Sequence, residues 1–195
     1  LLAIDIAPEM VDYCRRNNGV SDLVRYEVGD AERFRAEREF DLVVSSCCFQ
    51  WLPDRMRAIR NLRAQTARRG SLALAVLVSG SLAELSQCYE VATGRPMPGL
   101  NFWSAQRYCR ALEGAGFRIR KARAETVRVT WDNPWDALYS LKATGAAFVQ
   151  QPWYYPLGAG QLRRLVDCYA RRFSVGEHGR TPASFEALFA LGEAT

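Results

Sequence analysis

The sequence predicts an α/β fold: a doubly wound, mostly parallel sheet covered by helices, with a helical insertion between its last two strands. Three observations predict it. Short apolar runs alternate with helical periodicity through residue 80. Two of those early runs close on an acid, "LLAID" and "VRYEVGD". The last two extended stretches are separated by a segment, 132–180, that reads as mainly helical.

Each element has a local cause. Residues 1–6 form a buried-type apolar run, so a strand is expected there. Pro8 suits a helix's first turn, and Met10, Val11 and Cys14 recur at helical spacing to about Asn17, with Gly19 as a candidate C-cap. "VRYEVGD" is a second strand and "FDLVVSS" a third. A helix is expected from about Pro53 to Arg68, ended by Gly70, with "SLALAVLV" as the fourth strand. Ser81 and Glu84 have the spacing of a capping box, opening a helix to about Thr93. A further helix begins at Ser104 and ends at Gly114 or Gly116. "FRIRKARAETVRVTW" alternates as a long strand. Asp132-Asn133-Pro134 starts a helix through "WDALYSLKATGA", "QQPWYYPLGAG" is an aromatic loop, and "AGQLRRLVDCYARRF" is an amphipathic helix. "ASFEALFALGE" is ambiguous by period and is expected as the final strand. All 195 residues are expected in one domain, with 132–180 as a lid or substrate-binding element.

Composition excludes several classes. Apolar residues make up 49% and charged residues 24%, ordinary for a globular protein, and no apolar run has the ~20 residues of a membrane helix. The net charge of +5 comes from arginines spread along the chain, without the clustered basic-aromatic pattern of a nucleic-acid module. The six cysteines include no C-x-x-C, which argues against zinc or another metal and for a reduced, cytoplasmic setting. The single histidine, His178, stands in the turn-like "VGEHGR", which leaves no nucleophile–base pair for a serine or cysteine hydrolase.

The candidate chemistry gathers at strand ends, where open α/β sheets bind ligands. Asp5 can accept hydrogen bonds from both hydroxyls of a ribose, or serve the turn it stands in. Asp30 ends the next strand in "VGDAERF", as a second ligand-facing acid or as a helix N-cap with Glu32 in the first turn. "FDLVVSSCCFQWLPD" delivers Ser45, Ser46 and Cys47 to the same edge, followed by Gln50 and Trp51, the latter a substrate wall or a core aromatic.

These segments, with "RRGSLALAVL" and "LEGAGF", resemble the successive motifs of class I S-adenosylmethionine-dependent methyltransferases. "QW", "LVSGSLAELSQCYEVATGRPMP" and "ALYSLKATGA" further resemble the malonyl-acyl-carrier-protein O-methyltransferases of biotin synthesis. The resemblance implies a Rossmann-like sheet and S-adenosylmethionine as cofactor. It implies that Asp5 meets the ribose hydroxyls, that Ile6 and Met10 flank the nucleoside, and that Asp30 meets the adenine amine. Ala31 and Glu32 would line that pocket and Ser46 would lie near the methionine part. Gln50, Trp51 and Lys142 are the expected acceptor-side residues, and acyl carrier protein bearing a malonyl group is the expected partner. No general base is assigned, because a carboxylate acceptor is already ionised at pH 7. The family's first strand and its G-x-G-x-G loop do not stand before Leu1, and "GAGQ" at 158–161 precedes a late helix instead. The expectation is a chain entered at the second strand, its missing strand lying beside the second and fourth strands of the family's sheet. Two other readings stay open: a methyltransferase for another small molecule, such as a quinone precursor, and a non-catalytic relative serving as an assembly factor.

Overall fold

The computed structural model describes residues 1–17, 23–98, 101–143, 157–176 and 179–195. Gly19, the Trp153-Tyr154-Tyr155 loop and His178 lie outside the described residues. The elements run β1 (Leu2–Asp5), α1 (Pro8–Asn17), β2 (Arg25–Val28), β3 (Phe40–Ser46), α2 (Arg55–Gln65) and β4 (Thr66–Leu77). They continue as α3 (Ala83–Thr93), α4 (Ala105–Gly114), β5 (Phe117–Trp131), α5 (Pro134–Ala143), α6 (Ala159–Phe173) and β6 (Thr181–Ala194). A single 3-10 turn, Phe49–Trp51, lies between β3 and α2. The final stretch, ambiguous by period, is a strand, as expected.

Two sheets form. β1 and β2 pair in parallel, with Asp5 opposite Val28. The second sheet has the order β3-β4-β6-β5, and its β3–β4 pair is also parallel. Among the described residues no strand joins β1 to β3. Leu1–Ile4 and Phe40–Val44 instead line a shared cavity of about 610 Å³. Leu42 and Val44 on β3 are more than half exposed. The interruption falls where the resemblance places the first strand of the family's sheet.

The chain divides into two compact units. The first comprises Leu1–Ala75, Gln106–Ala122 and Phe189–Thr195. Its core buries Phe49, Ile59, Leu72, Leu74, Tyr108, Leu112 and Phe117. Each such apolar side chain contributes on the order of 1.5–3 kcal/mol. Arg63 ties the unit's ends together: its guanidinium donates to the carbonyls of Gly116, Thr66 and Thr195 and lies over the Phe117 ring.

The second unit comprises Val76–Ala105 and Arg123–Leu188. Helices α3 and α6 pack through Leu82, Leu85, Cys88, Leu165, Cys168 and Tyr169. The Tyr169 hydroxyl donates to Pro182 O at 2.7 Å, which satisfies the polar end of a buried ring. At α5, Asn133 Oδ1 accepts the Asp136 N–H, so the Asp-Asn-Pro start acts as a cap.

Two local expectations fail for physical reasons. Helix α2 stops at Gln65, not Arg68, and β4 begins at Thr66. Thr66 pairs with Phe40, and the ladder resumes only at Ser71 opposite Leu42, so residues 67–70 form an irregularity. Arg69 carries a φ of 63° there. Gly70 therefore lies inside a strand rather than closing a helix, and a Cβ on it would meet Ala67 O at 2.8 Å. The capping box is also absent. Leu82, in the left-handed region at φ 58°, precedes α3 without a side-chain cap. Ser81 Oγ donates to Glu186 O and accepts the Glu186 N–H, while Glu84 accepts both the N–H and the hydroxyl of Ser184. Both side chains are used across the chain, on β6, instead of on each other.

Candidate functional site

The ends of β1, β2 and β3 carry the candidate residues of the first unit. Asp5 closes β1 and is exposed; its Oδ1 accepts the Ala7 N–H at 2.8 Å, and its other oxygen has no bond to a described residue. This Asx turn leads the chain into Pro8 and α1 while leaving an acceptor oxygen toward solvent. Ile6 and Met10 follow, 70% and 50% exposed. Apolar side chains so open at a strand end are available to a ligand, which core residues would not be.

Asp30 lies two residues beyond β2, where Oδ1 accepts the Glu32 N–H at 2.9 Å and Arg33 Nε stands 3.8 Å from Oδ2. Asp30 caps the turn 31–34, where no helix follows, and is half-buried. Gly29, just before it, accommodates the Phe34 ring, whose Cδ2 would sit 2.6 Å from an added Cβ. Ala31 presents its carbonyl to Asn61 Nδ2 at 2.9 Å. Glu32 reaches away from the strand end, and its Oε1 accepts the Asp54 N–H at 2.7 Å. Asp54 in turn caps α2, accepting the Arg57 N–H at 2.9 Å.

Two residues holding this turn, and a third holding the turn after β3, carry no motif signal. Buried Asn61 donates to Ala31 O and Phe34 O. Gln65 donates to Phe34 O and accepts the Ala36 N–H. Arg55, buried, donates through Nε to Phe49 O and through Nη2 to Gln50 O. The signal that could have found Asn61 and Gln65 is amide side chains spaced i, i+4 among the apolar positions Ala58, Ile59 and Leu62 of α2.

Ser46 ends β3, exposed. Cys47 then takes a φ of 51° and donates its N–H to Ala75 O at 2.9 Å. The next residue, Cys48, is partly buried. Burial raises its thiol pKa, and the negative charge of Asp5 raises it further. Asp5 and Cys48 are thus near enough for the charge at the end of β1 to act beyond the end of β3. Gln50 is buried, with Nε2 donating to Cys47 O at 2.8 Å and Oε1 lacking a partner among the described residues. Trp51 is 41% exposed, so it is not a core aromatic. Lys142 belongs to the second unit, exposed in the last turn of α5. Among the described residues no cluster of three His, Cys, Asp or Glu could hold a metal, and no helix is long and apolar enough to cross a membrane.

The strand-end donor set is therefore acceptor-rich, with apolar flanks at Ile6 and Met10. Asp5 offers a carboxylate oxygen suited to hydroxyl donors, and Asp30 offers a second. This chemistry fits the nucleoside of S-adenosylmethionine.

Similarity to known proteins agrees. A family described as "Methyltransferase domain" matches residues 1–74. The malonyl-[acyl-carrier protein] O-methyltransferase of Methylococcus capsulatus is 30% identical over 195 residues, covering 98% of this chain and 70% of that protein. Its namesake from a Paenibacillus species is 31% identical over 157 residues, covering 75% of this chain and 57% of that protein. Among solved structures, YcgJ of Bacillus subtilis superposes with a TM-score of 0.68 at 12% identity, covering 99% of this chain and 81% of its own. The [4+2]-cyclase SpnF superposes at 0.58 and 18% identity, covering 99% and 65%. At such identities these two structures show the fold alone. The chain belongs to the class I S-adenosylmethionine-dependent methyltransferases. Within that family, the two relatives just described are malonyl-[acyl-carrier protein] O-methyltransferases, and the chain spans 57% to 70% of their length.

Proposed function

We propose that this chain forms the larger part of an S-adenosylmethionine-dependent methyltransferase that esterifies the free carboxylate of a malonyl thioester on acyl carrier protein, in biotin synthesis and in the cytoplasm. The observation that carries the reading is the pair of acids closing adjacent parallel strands, Asp5 and Asp30, beside exposed apolar Ile6 and Met10. The 30% identity to a relative of that name over the whole chain supports the acceptor.

S-adenosylmethionine, when bound, supplies a methyl group on a sulfonium. Asp5 would hold the ribose hydroxyls and Asp30 the adenine amine, with Ala31 and Glu32 shaping that side and Ser46 facing the methionine part. Trp51 and Lys142 would serve the acceptor, Trp51 as a flat wall and Lys142 as a cation for its carboxylate. Gln50 is buried, so its part is played through the turn it bonds to rather than through open contact. A malonyl carboxylate, with a pKa near ~4, needs no base at pH 7. The chain's residues have to align the two partners and exclude water, and alignment supplies several kcal/mol of a barrier. The cavity between β1 and β3 would take one more parallel strand, whose following loop would present backbone N–H groups to the cofactor's carboxylate. The segment 132–180 is the proposed lid or substrate-binding element.

The test is methyl transfer by the protein expressed from its complete reading frame. Labelled S-adenosylmethionine is offered with malonyl-acyl carrier protein, malonyl-CoA and unrelated acids. Label should enter the malonyl thioesters as a base-labile ester, fastest on the carrier protein. Transfer to a quinone precursor alone, or to nothing, would overturn the acceptor assignment.

A further inference from the structure

The turn after β3 is held in an unfavourable shape by two side chains that face away from solvent. Cys47 sits in the left-handed region at φ 51°, where a residue with a Cβ is disfavoured. It still donates its N–H to Ala75 O, so the turn keeps its place beside β4. Gln50 Nε2 holds the Cys47 carbonyl at 2.8 Å. The Arg55 fork grips the next carbonyls along, Phe49 O at 2.8 Å and Gln50 O at 2.9 Å. Gln50 and Arg55 are 3% and 7% exposed. A charged group so buried is costly to keep unless its bonds matter to the structure around it. Beneath them the Phe49 ring meets Tyr108 edge-on, with centroids 6.5 Å apart.

We infer that Gln50 and Arg55 are positioning residues: they clamp the Ser46-Cys47-Cys48 turn, at the end of β3, in its left-handed shape. The clamp itself stands on geometry alone. Its effect on cofactor binding rests on the proposed reading of the strand ends as the cofactor pocket. The clamp also accounts for the burial of Gln50, which an acceptor contact does not require. Glycine adopts the left-handed region without strain, so a glycine at position 47 should hold the turn with no clamp. An ordinary packing role for Gln50 or Arg55 offers no such rescue.

The experiment uses the whole chain with Gln50→Met and Arg55→Lys, each alone and combined with Cys47→Gly, and exposed Arg60→Ala on α2 as control. Arg55→Lys keeps the charge but loses the fork, so it guards against outright unfolding. Hydrogen exchange is read on peptides spanning 44–52, with the thermal midpoint recorded alongside. Exchange at the turn should rise by about tenfold in both single variants, the scale of the left-handed penalty, and return to the Cys47→Gly level in the doubles. Unchanged exchange, or a rise that Cys47→Gly does not reverse, overturns the clamp. S-adenosylhomocysteine affinity is measured on the same proteins and should fall and recover in step. If exchange behaves as expected while the parent chain takes up no S-adenosylhomocysteine, the pocket reading fails and the clamp stands.

Discussion

Cys48 reports the site at the scale of single residues. Burial raises its pKa first, and the charge of Asp5 adds to that. Its alkylation by iodoacetamide should therefore set in at a higher pH than that of an ordinary thiol, because the thiolate is the reactive form. Asp5→Asn removes the anion, so the midpoint of the rate–pH profile at Cys48 should move down while remaining above that of a free thiol. Peptide mapping by mass spectrometry separates Cys48 from neighbouring Cys47. A midpoint indifferent to Asp5→Asn would mean that the charge of Asp5 does not reach Cys48.

Segments whose bonding is local were legible at the level of the element, and segments whose bonding crosses the chain were not. α1 and β3 fall on the expected residues because Pro8, the Met10-Val11-Cys14 spacing and the apolar run Leu42-Val43-Val44 decide them. The end of α2 does not, because Thr66 leaves the helix to pair with Phe40, a partner 26 positions away. Ser81 and Glu84 have the spacing of a capping box, yet Ser184 and Glu186 on β6 compete for the same oxygens and win. The strand-end acids were legible because strand and turn chemistry together set them. The brace from Asn61, Gln65 and Arg55 was not, since its targets are backbone carbonyls that no sequence pattern marks. Glu84 is the sharpest test of this. Glu84→Ala leaves the buried Ser184 N–H and hydroxyl without an acceptor, and should cost about 2–3 kcal/mol in urea unfolding. A loss below ~0.5 kcal/mol would mean the contact is dispensable.

The α3–α6 seam makes a second prediction at this scale. Cys88 is pushed up to about 12 by burial first and then by its bond with Cys168. The unfolded thiol ionises near ~8.5, so the folded form is favoured in full below that pH. That advantage drains away between there and about 12. Stability should fall through this window at up to ~1.4 kcal/mol per pH unit from this group. Cys88→Ala should flatten the alkaline decline of the thermal midpoint, and an unaltered slope would assign the decline to other groups.

For the molecule as a whole, the sequence order of strands explains both what is complete and what is open. The β3-β4-β6-β5 sheet places the last strand inside, between β4 and β5, and β5 forms an arginine-rich edge that resists further pairing. Among the described residues, β1 and β3 each have one unpaired edge on the cavity between them. That interruption followed from the family resemblance and from no local signal, whereas the division into two compact units was not foreseen. In the proposed function, the strand ends of the first unit hold S-adenosylmethionine through Asp5. Isothermal titration of S-adenosylhomocysteine into the protein from its complete reading frame tests it most directly. Asp5→Ala should weaken binding by roughly ten- to a hundredfold, the worth of a charge-assisted hydrogen bond, with the fold intact by circular dichroism. Equal affinity in the two proteins would contradict the account.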